Sequence, residues 1–391
     1  YGAFTFKTFA PKAFRAIRKA CGIVENDYLT SLCGGPASRH DAQHGGSIRA
    51  ADSIQLQRQR SSGRSFVLRE VTTNSKSNSF FFYSHDIRFL VKTISKEEKR
   101  QMLAMLPSYT AHVSDQPGSF LARVLGMYKV RKHVFIVQLN VFACERPVHE
   151  VYDLKGSSYK RRATEREKQA AFVVLKDVDF KSDPHRAIKL APQVRKCFLT
   201  QLSSDVRLLE QHRIIGYSVL LGIHFRDRDA SEPEGAAGRM QMVTETPRAR
   251  HIDTQLQNLA SLRSGASGHS LPRSTSVSVT GRENMQAEAD GAVPSADPNE
   301  VYYIGVIDLL VPYTRIKQLE AKTRGRIVNA RHGADSLSVT DPKKYASRLL
   351  EFIGANTPED GTPGGSVSGR GSQRSLGSSY GSSYGSSRQL R

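Results

Sequence analysis

The chain has 391 residues, 38% of them hydrophobic and 24% charged, which is ordinary globular usage and enough for one large domain or two smaller ones. Its net charge of +20 points to an acidic partner: nucleic acid, an anionic membrane face or a phosphorylated substrate. No apolar run approaches the roughly 18 residues that a transmembrane helix needs. Cys21, Cys33, Cys144 and Cys197 are scattered with no CxxC pair, so they read as reduced thiols of an intracellular protein rather than a disulfide framework or metal site. A chain opening on Tyr1 rather than Met reads as a piece of something longer.

Along the chain, Phe4 to Cys21 reads as a short amphipathic helix. Residues 34–66 are rich in Gly, Ser, Arg and Gln and read as a flexible insert. Phe80 to Ser95 alternates and is rich in aromatic and β-branched residues, which predicts a hairpin of strands. Ser95 with Glu98 forms a capping box ahead of Met102, Leu103, Met105 and Leu106, which predicts a helix stopped by Pro107. His133 to Phe142 is apolar on both faces and predicts a central strand. In Pro192 to Arg213 the residues Val194, Cys197, Phe198, Leu202, Val206 and Leu209 recur at helical spacing. Ile214 to Phe225 and Val301 to Val311 are strand-like, and Tyr345 to Ile353 is a last amphipathic helix. Residues 227–299 and the tail from 356 to 391 are Gly, Ser, Pro and charge, too poor in apolar surface to fold alone. The first would be an excursion between two adjacent strands, because closure entropy grows only as the logarithm of loop length.

This order of elements fits a two-lobed nucleotide kinase, so phosphoryl-transfer parts are the ones to seek: a cation on the phosphates, a carboxylate for Mg²⁺ and a group that orients the nucleophile. Lys92 ends the strand RFLVK and is followed by a helix carrying Glu98. It is either a solvated face residue or a phosphate-binding lysine with an ion-pair partner. Asp308 is a single carboxylate inside the apolar run YIGVIDLL. It is either a satisfied strand-end aspartate or a Mg²⁺ ligand. Residues 152–162, YDLKGSSYKRR, gather Asp153, Lys155, Lys160, Arg161 and Arg162 about Gly156. They form either a solvated face or a turn suited to a polyphosphate or anionic head group.

At these residues the pattern resembles a known family. DLKGSSYKRR at 153–162 looks like the DLKGS signature of phosphatidylinositol phosphate kinases. FKTFAPKAFRAIRKACGIVENDYLTSLC, SNSFFFYSHDIRFLVKT, MLPSYTAHV, LKDVDF, IIGYSVLLGIHF, IGVIDLL and SLSVTDPKKYASRLLEFI resemble further blocks in the family's order. The resemblance implies an α+β, two-lobed catalytic domain over residues 1–355, with lobes of about 1–142 and 143–355 and an ATP cleft between them. It implies that Lys92 contacts ATP phosphates with Glu98 as partner, and that Asp308 binds Mg²⁺. Lys155, with Asp153, would serve the nucleotide or substrate phosphate, and Ser77, Asn78 and Ser79 would form the glycine loop. Lys160, Arg161, Arg162, Lys343 and Lys344 would meet lipid and membrane, the last two in an activation loop over 325–345 with Arg326 and Arg331. The substrate would be a phosphoinositide, most simply the 4-phosphate converted to the 4,5-bisphosphate as in the type I and plant-like members. The domain would lie peripherally on an anionic membrane, on the cytoplasmic face of the plasma membrane, and a homodimer is allowed.

The chain departs from the family in two places. Gly216 stands where the family's MDYSLL block has its aspartate, and the SGS of the glycine loop is Ser77-Asn78-Ser79. The first departure supports an alternative: an impaired kinase domain that binds or scaffolds phosphoinositides. General-base arguments put the loss of such an aspartate at roughly 10² to 10⁴ in rate. A nucleic-acid-binding reading has less support, since the chain has no Trp, no RNP-like aromatic platform and no zinc spacing.

Overall fold

The computed structural model describes residues 6–33, 69–71, 81–84, 86–144, 146–169, 173–229, 291–319 and 339–359. The predicted insert over 34–66, most of that over 227–299, the 77–79 loop and most of the 356–391 tail lie outside them.

Two sheets organise the chain. The first has strands β1 (Phe6–Thr8), β2 (Arg69–Val71), β3 (Phe81–Tyr83), β4 (Phe89–Ile94), β5 (Val124–Val130) and β6 (His133–Leu139) in the order β1-β5-β6-β4-β3-β2, every pair antiparallel. The second has β7 (Glu150–Leu154), β8 (Val174–Lys176), β9 (Ser218–Phe225), β10 (Val293–Pro294) and β11 (Glu300–Ile307) in the order β10-β11-β9-β7-β8. Its β7–β8 pair is parallel and the rest antiparallel. This is a mixed α+β architecture, as the resemblance implied. Phe225 pairs with Glu300, so the chain between β9 and β11 leaves and re-enters the sheet at one end. Residues 291–299, placed in the insertion by composition, instead carry β10 and the fully buried Ala292 and Val293.

The helices are α1 (Pro11–Ala20), α2 (Glu25–Cys33), α3 (Lys96–Asp115), α4 (Glu165–Lys168), α5 (Asp177–Ser182), α6 (Pro192–Gln211), α7 (Arg226–Asp229) and α8 (Pro342–Ala355). The expected N-terminal helix is therefore a strand followed by a helix. Pro11 at the start of α1 marks the change, since proline's fixed φ suits a first helical turn.

The capping box forms as predicted: Ser95 Oγ accepts from Glu98 N at 3.1 Å and Glu98 Oε2 accepts from Ser95 N at 2.7 Å. Pro107 does not end that helix, which runs on to Asp115. Met102, Met105, Leu106, Tyr109 and Val113 form one continuous buried stripe across the proline. Packing of that stripe outweighs the roughly 3 kcal/mol that an interior proline costs.

Two buried contacts and a close crossing join the sheets. Ala122 N donates to Val306 O at 2.8 Å and Val306 N to Phe120 O at 2.7 Å, so the segment before β5 pairs with β11. Asp205 on α6, with no exposed surface, accepts from Phe120 N at 2.6 Å and meets His112 Nε2 of α3 at 2.7 Å. The linker after β6 passes directly over β9 and β11. A Cβ on Gly222 would stand 2.5 Å from Phe142, and one on Gly305 would stand 2.6 Å from Val141, so only glycine admits the crossing.

Candidate active site

A cleft lies where the sheets meet. It is lined by Lys92 and Ile94 of β4, Glu98 of α3, Val124 of β5 and Ile136 and Gln138 of β6. Asp308, Leu309 and Leu310, just past β11, line it from the other sheet.

The pleat of β4 sets Lys92. Phe89 and Val91 turn into the core, so Lys92 faces the cleft between Phe81 of β3 and Ile136 of β6. Its Nζ lies 2.6 Å from Asp308 Oδ1 and 5.1 Å from the centroid of the Phe81 ring. Asp308 has φ 63, a left-handed conformation that aspartate tolerates better than most residues. That turn takes the carboxylate out of the line of β11 while Leu309 and Leu310 re-enter the core. Burial opposes ionisation of Asp308, but the charges of Lys92 and Lys155 and the Lys92 hydrogen bond outweigh it. Its carboxyl is held below the ordinary aspartate range.

Lys155 approaches from the turn after β7. Its Nζ donates to the carbonyl of Gly216 at 2.5 Å and lies 3.8 Å from Asp153 Oδ1. Gly216 has φ 83, and a Cβ there would meet Val311 only at ordinary contact distance, 3.7 Å. Space therefore allows a side chain at this position and backbone conformation disfavours it.

Asp177, almost fully buried, organises the turn. One oxygen accepts from Lys155 N at 2.8 Å and Gly156 N at 2.7 Å, and the other from Arg161 Nε at 2.6 Å. Arg161 also reaches Asp153 Oδ1 at 2.5 Å. Gly156 has φ 68 and rests against the backbone of Arg348 in α8, so the turn is locked to the last helix.

Several sequence expectations change here. Lys92 pairs with Asp308 across the cleft rather than with Glu98. The Glu98 carboxylate is committed to the N-cap of α3, although its residue lines the same cleft. Arg161 is 11% exposed and bridges two carboxylates, so it belongs to the turn and not to a lipid-facing surface. Lys160 is exposed, and its ammonium lies 5.3 Å from the Tyr159 ring centroid. Arg162 is exposed and donates to Ser182 Oγ at 2.8 Å. Lys343 and Lys344 are exposed in the first turn of α8, whose N-cap Asp341 accepts from Lys343 N at 3.1 Å. Ser77, Asn78, Ser79, Arg326 and Arg331 lie outside the described residues. Sequence reasoning passed over Asp177. Its signal was the one that singled out Asp308: a carboxylate at the end of a short strand, here in LKDVDF.

The arrangement is an alternating row of cation, carboxylate and cation, which can take up a polyphosphate and its counter-ion. A magnesium ion is commonly held by one or two carboxylates together with substrate phosphates. Asp308, 39% exposed, fits such a role, while Glu98 lines the opposite side of the cleft with its carboxylate held by the helix cap. No group of three or more His, Cys, Asp or Glu that could hold a metal by itself occurs among the described residues.

The sequence model described as phosphatidylinositol-4-phosphate 5-kinase matches residues 62–356, which takes in this cleft, the 153–162 turn and most of both sheets. The chain belongs to that family. It is 32% identical over 374 residues to a probable phosphatidylinositol phosphate kinase of Dictyostelium discoideum, covering 90% of this chain and 47% of that protein. It is 28% identical over 360 residues to human phosphatidylinositol 4-phosphate 5-kinase type-1 beta, covering 90% and 58%. It is 28% identical over 362 residues to Arabidopsis thaliana phosphatidylinositol 4-phosphate 5-kinase 6, covering 90% and 45%. The chain thus spans about half the length of the relatives it matches. Membership agrees with the resemblance read from the 153–162 signature and the blocks around it.

Proposed function

We propose that this domain is a lipid kinase that transfers the γ-phosphate of ATP to a phosphatidylinositol monophosphate. The observation that carries the reading is the 2.6 Å approach of Lys92 and Asp308 across the cleft in a chain of this family. Phosphoryl transfer relies on positioning and electrostatics more than on covalent chemistry, and these groups supply both. Lys92 would hold nucleotide phosphates. Asp308 would hold magnesium, which neutralises charge on the phosphates when bound. Lys155, fixed by Gly216 O and flanked by Asp153, would stabilise charge developing on the transferred group. The substrate would be the 4-phosphate and the product the 4,5-bisphosphate, the activity in the names of the human and Arabidopsis relatives. Lys160, Arg162, Lys343 and Lys344 would hold the domain peripherally on an anionic cytoplasmic membrane face. Basic residues near such a surface contribute about 1 kcal/mol each.

Gly216 supports a second reading, in which the same cleft binds nucleotide and phosphoinositide with little turnover. A carboxylate able to orient the nucleophile is missing from that position, and Asp205 is buried and hydrogen-bonded elsewhere. One assay separates the two: transfer of labelled phosphate from ATP to vesicles carrying each phosphatidylinositol monophosphate. If the native chain makes product and Asp308→Asn does not, the kinase reading stands and the preferred vesicle names the substrate. A silent native chain that Gly216→Asp switches on would make this a binding module.

A further inference from the structure

We infer that Asp153 orients the attacking hydroxyl of the lipid, in the place that Gly216 leaves without a carboxylate. The inference rests on the kinase reading proposed above.

Phosphoryl transfer needs an acceptor that aims the nucleophile, besides the cation and metal that hold the phosphates. Most carboxylates about the cleft are already engaged. Asp308 pairs with Lys92 and is the group assigned to magnesium. Glu98 caps α3. Asp177 is 1% exposed, and its two oxygens accept from Lys155 N, Gly156 N and Arg161 Nε. Asp205 has no exposed surface and is held between Phe120 N and His112. Asp153 differs from these. Its side chain keeps 21% of its surface exposed. Oδ1 accepts from Arg161 at 2.5 Å and has Lys155 Nζ at 3.8 Å, while no described residue donates to Oδ2. A carboxylate offers about four lone-pair sites, so this one has acceptor capacity to spare.

The pleat of β7 aims that group. Tyr152 and Leu154 are buried, Tyr152 edge-on to Phe180 of α5, so Asp153 stands on the opposite face of the strand. There it is level with Leu220 of β9 in the register. Lys155, two residues on, reaches Gly216 O at 2.5 Å. Asp153 and position 216 therefore share one ammonium, whose charge also acts on Asp308. The nearest protein atom to a Cβ at 216 would be in Val311, 3.7 Å away, so no other side chain has closed over that space. An acceptor flanked by two cations is a weak base with a fixed direction. That suits a loose transition state, in which aim matters more than basicity. In the step, the lipid hydroxyl oxygen bonds to the γ-phosphorus as the bond from that phosphorus to the bridging oxygen breaks. ADP leaves with the electron pair, and the hydroxyl proton passes to Oδ2 and on to solvent.

The test is transfer of labelled phosphate from ATP to vesicles carrying phosphatidylinositol 4-phosphate, with kcat and the KM for ATP measured separately. Asp153→Asn should lower kcat by about 10² to 10⁴ and move the KM for ATP by less than about threefold. Adding Gly216→Asp to that variant should restore at least about tenfold. Asp153→Glu keeps the charge that holds Arg161 but carries its oxygens one methylene further. It should keep the native urea midpoint and lose at least about tenfold in kcat, and it decides the matter if the asparagine variant fails to fold. Native kcat in both Asp153→Asn and Asp153→Glu would overturn the inference. So would a loss in Asp153→Asn that Gly216→Asp does not relieve, because a role confined to holding Arg161 does not respond to a carboxylate at 216. A native chain that phosphorylates no monophosphate vesicle overturns the kinase reading and this inference with it. Failure at Asp153 alone leaves native transfer intact.

Discussion

Lys92 and Asp308 are 216 residues apart in sequence, and their side chains meet at 2.6 Å between the two sheets. The pair links a strand of one sheet to the end of a strand in the other. In the kinase reading each group offers a ligand to the nucleotide: the ammonium to phosphate, the carboxylate to its metal.

The pH response of Asp308 follows from its neighbours. Its folded pKa lies below the ordinary value, with burial opposing the shift and Lys92 and Lys155 overcoming it. Such a group adds stability above the unfolded aspartate pKa of about 3.9, and that contribution is lost as pH falls through the lower folded value. Carbon-13 NMR titration of the Asp308 carboxyl should give a midpoint below that of an unstructured aspartate. In Lys155→Met the midpoint should rise, because one of the charges that holds the carboxylate ionised is gone. An unmoved midpoint would show that Lys155 exerts no field there.

Arg161 and its basic neighbours should separate in their effects. Arg161→Ala leaves the Asp153 and Asp177 carboxylates without their bridging cation, and breaking a buried pair from one side costs about 3–5 kcal/mol. Urea denaturation should detect that loss. Lys343→Ala and Lys344→Ala should leave the denaturation midpoint within about 0.5 kcal/mol of native. In the kinase reading they should weaken sedimentation with anionic vesicles, by about 1 kcal/mol each and less so at high salt.

Asp205 should prove structural. Asp205→Ala strands a buried main-chain N–H at Phe120 and removes the partner of His112. A loss of about 3 kcal/mol in equilibrium unfolding is expected. A variant that stays fully stable yet loses phosphotransfer would instead assign this carboxylate to the chemistry.

Pro107 interrupts the hydrogen-bond ladder of α3 at a point where the helix continues. Pro107→Ala restores a donor in the middle of a packed helix and should raise the thermal midpoint by a few degrees, on the order of 1 kcal/mol. A lowered midpoint would mean that the ring itself fills space the helix needs.

Local signals in the chain were sufficient for its elements. The Ser95–Glu98 capping box, the helical spacing from Phe198 to Leu209 and the alternation about Lys92 each involve residues a few positions apart, and each formed as the pattern indicated. The 153–162 signature and the blocks about it were specific enough to indicate the family. Signals of that range could not decide partners. Glu98, three residues past Ser95, was available to the helix cap before it was available to Lys92, and the carboxylate that does meet Lys92 comes from the far sheet. Arg161 looked like one cation in a basic run until the fold brought Asp153 and Asp177 to either side of it. Pro107 read as a stop because propensity is a local quantity, while the buried stripe that carries α3 past it exists only against the core. Side-chain types and spacing set which elements form. Sheet register and the approach of the two sheets set which charges neutralise one another, because those distances depend on contacts between residues far apart in the chain.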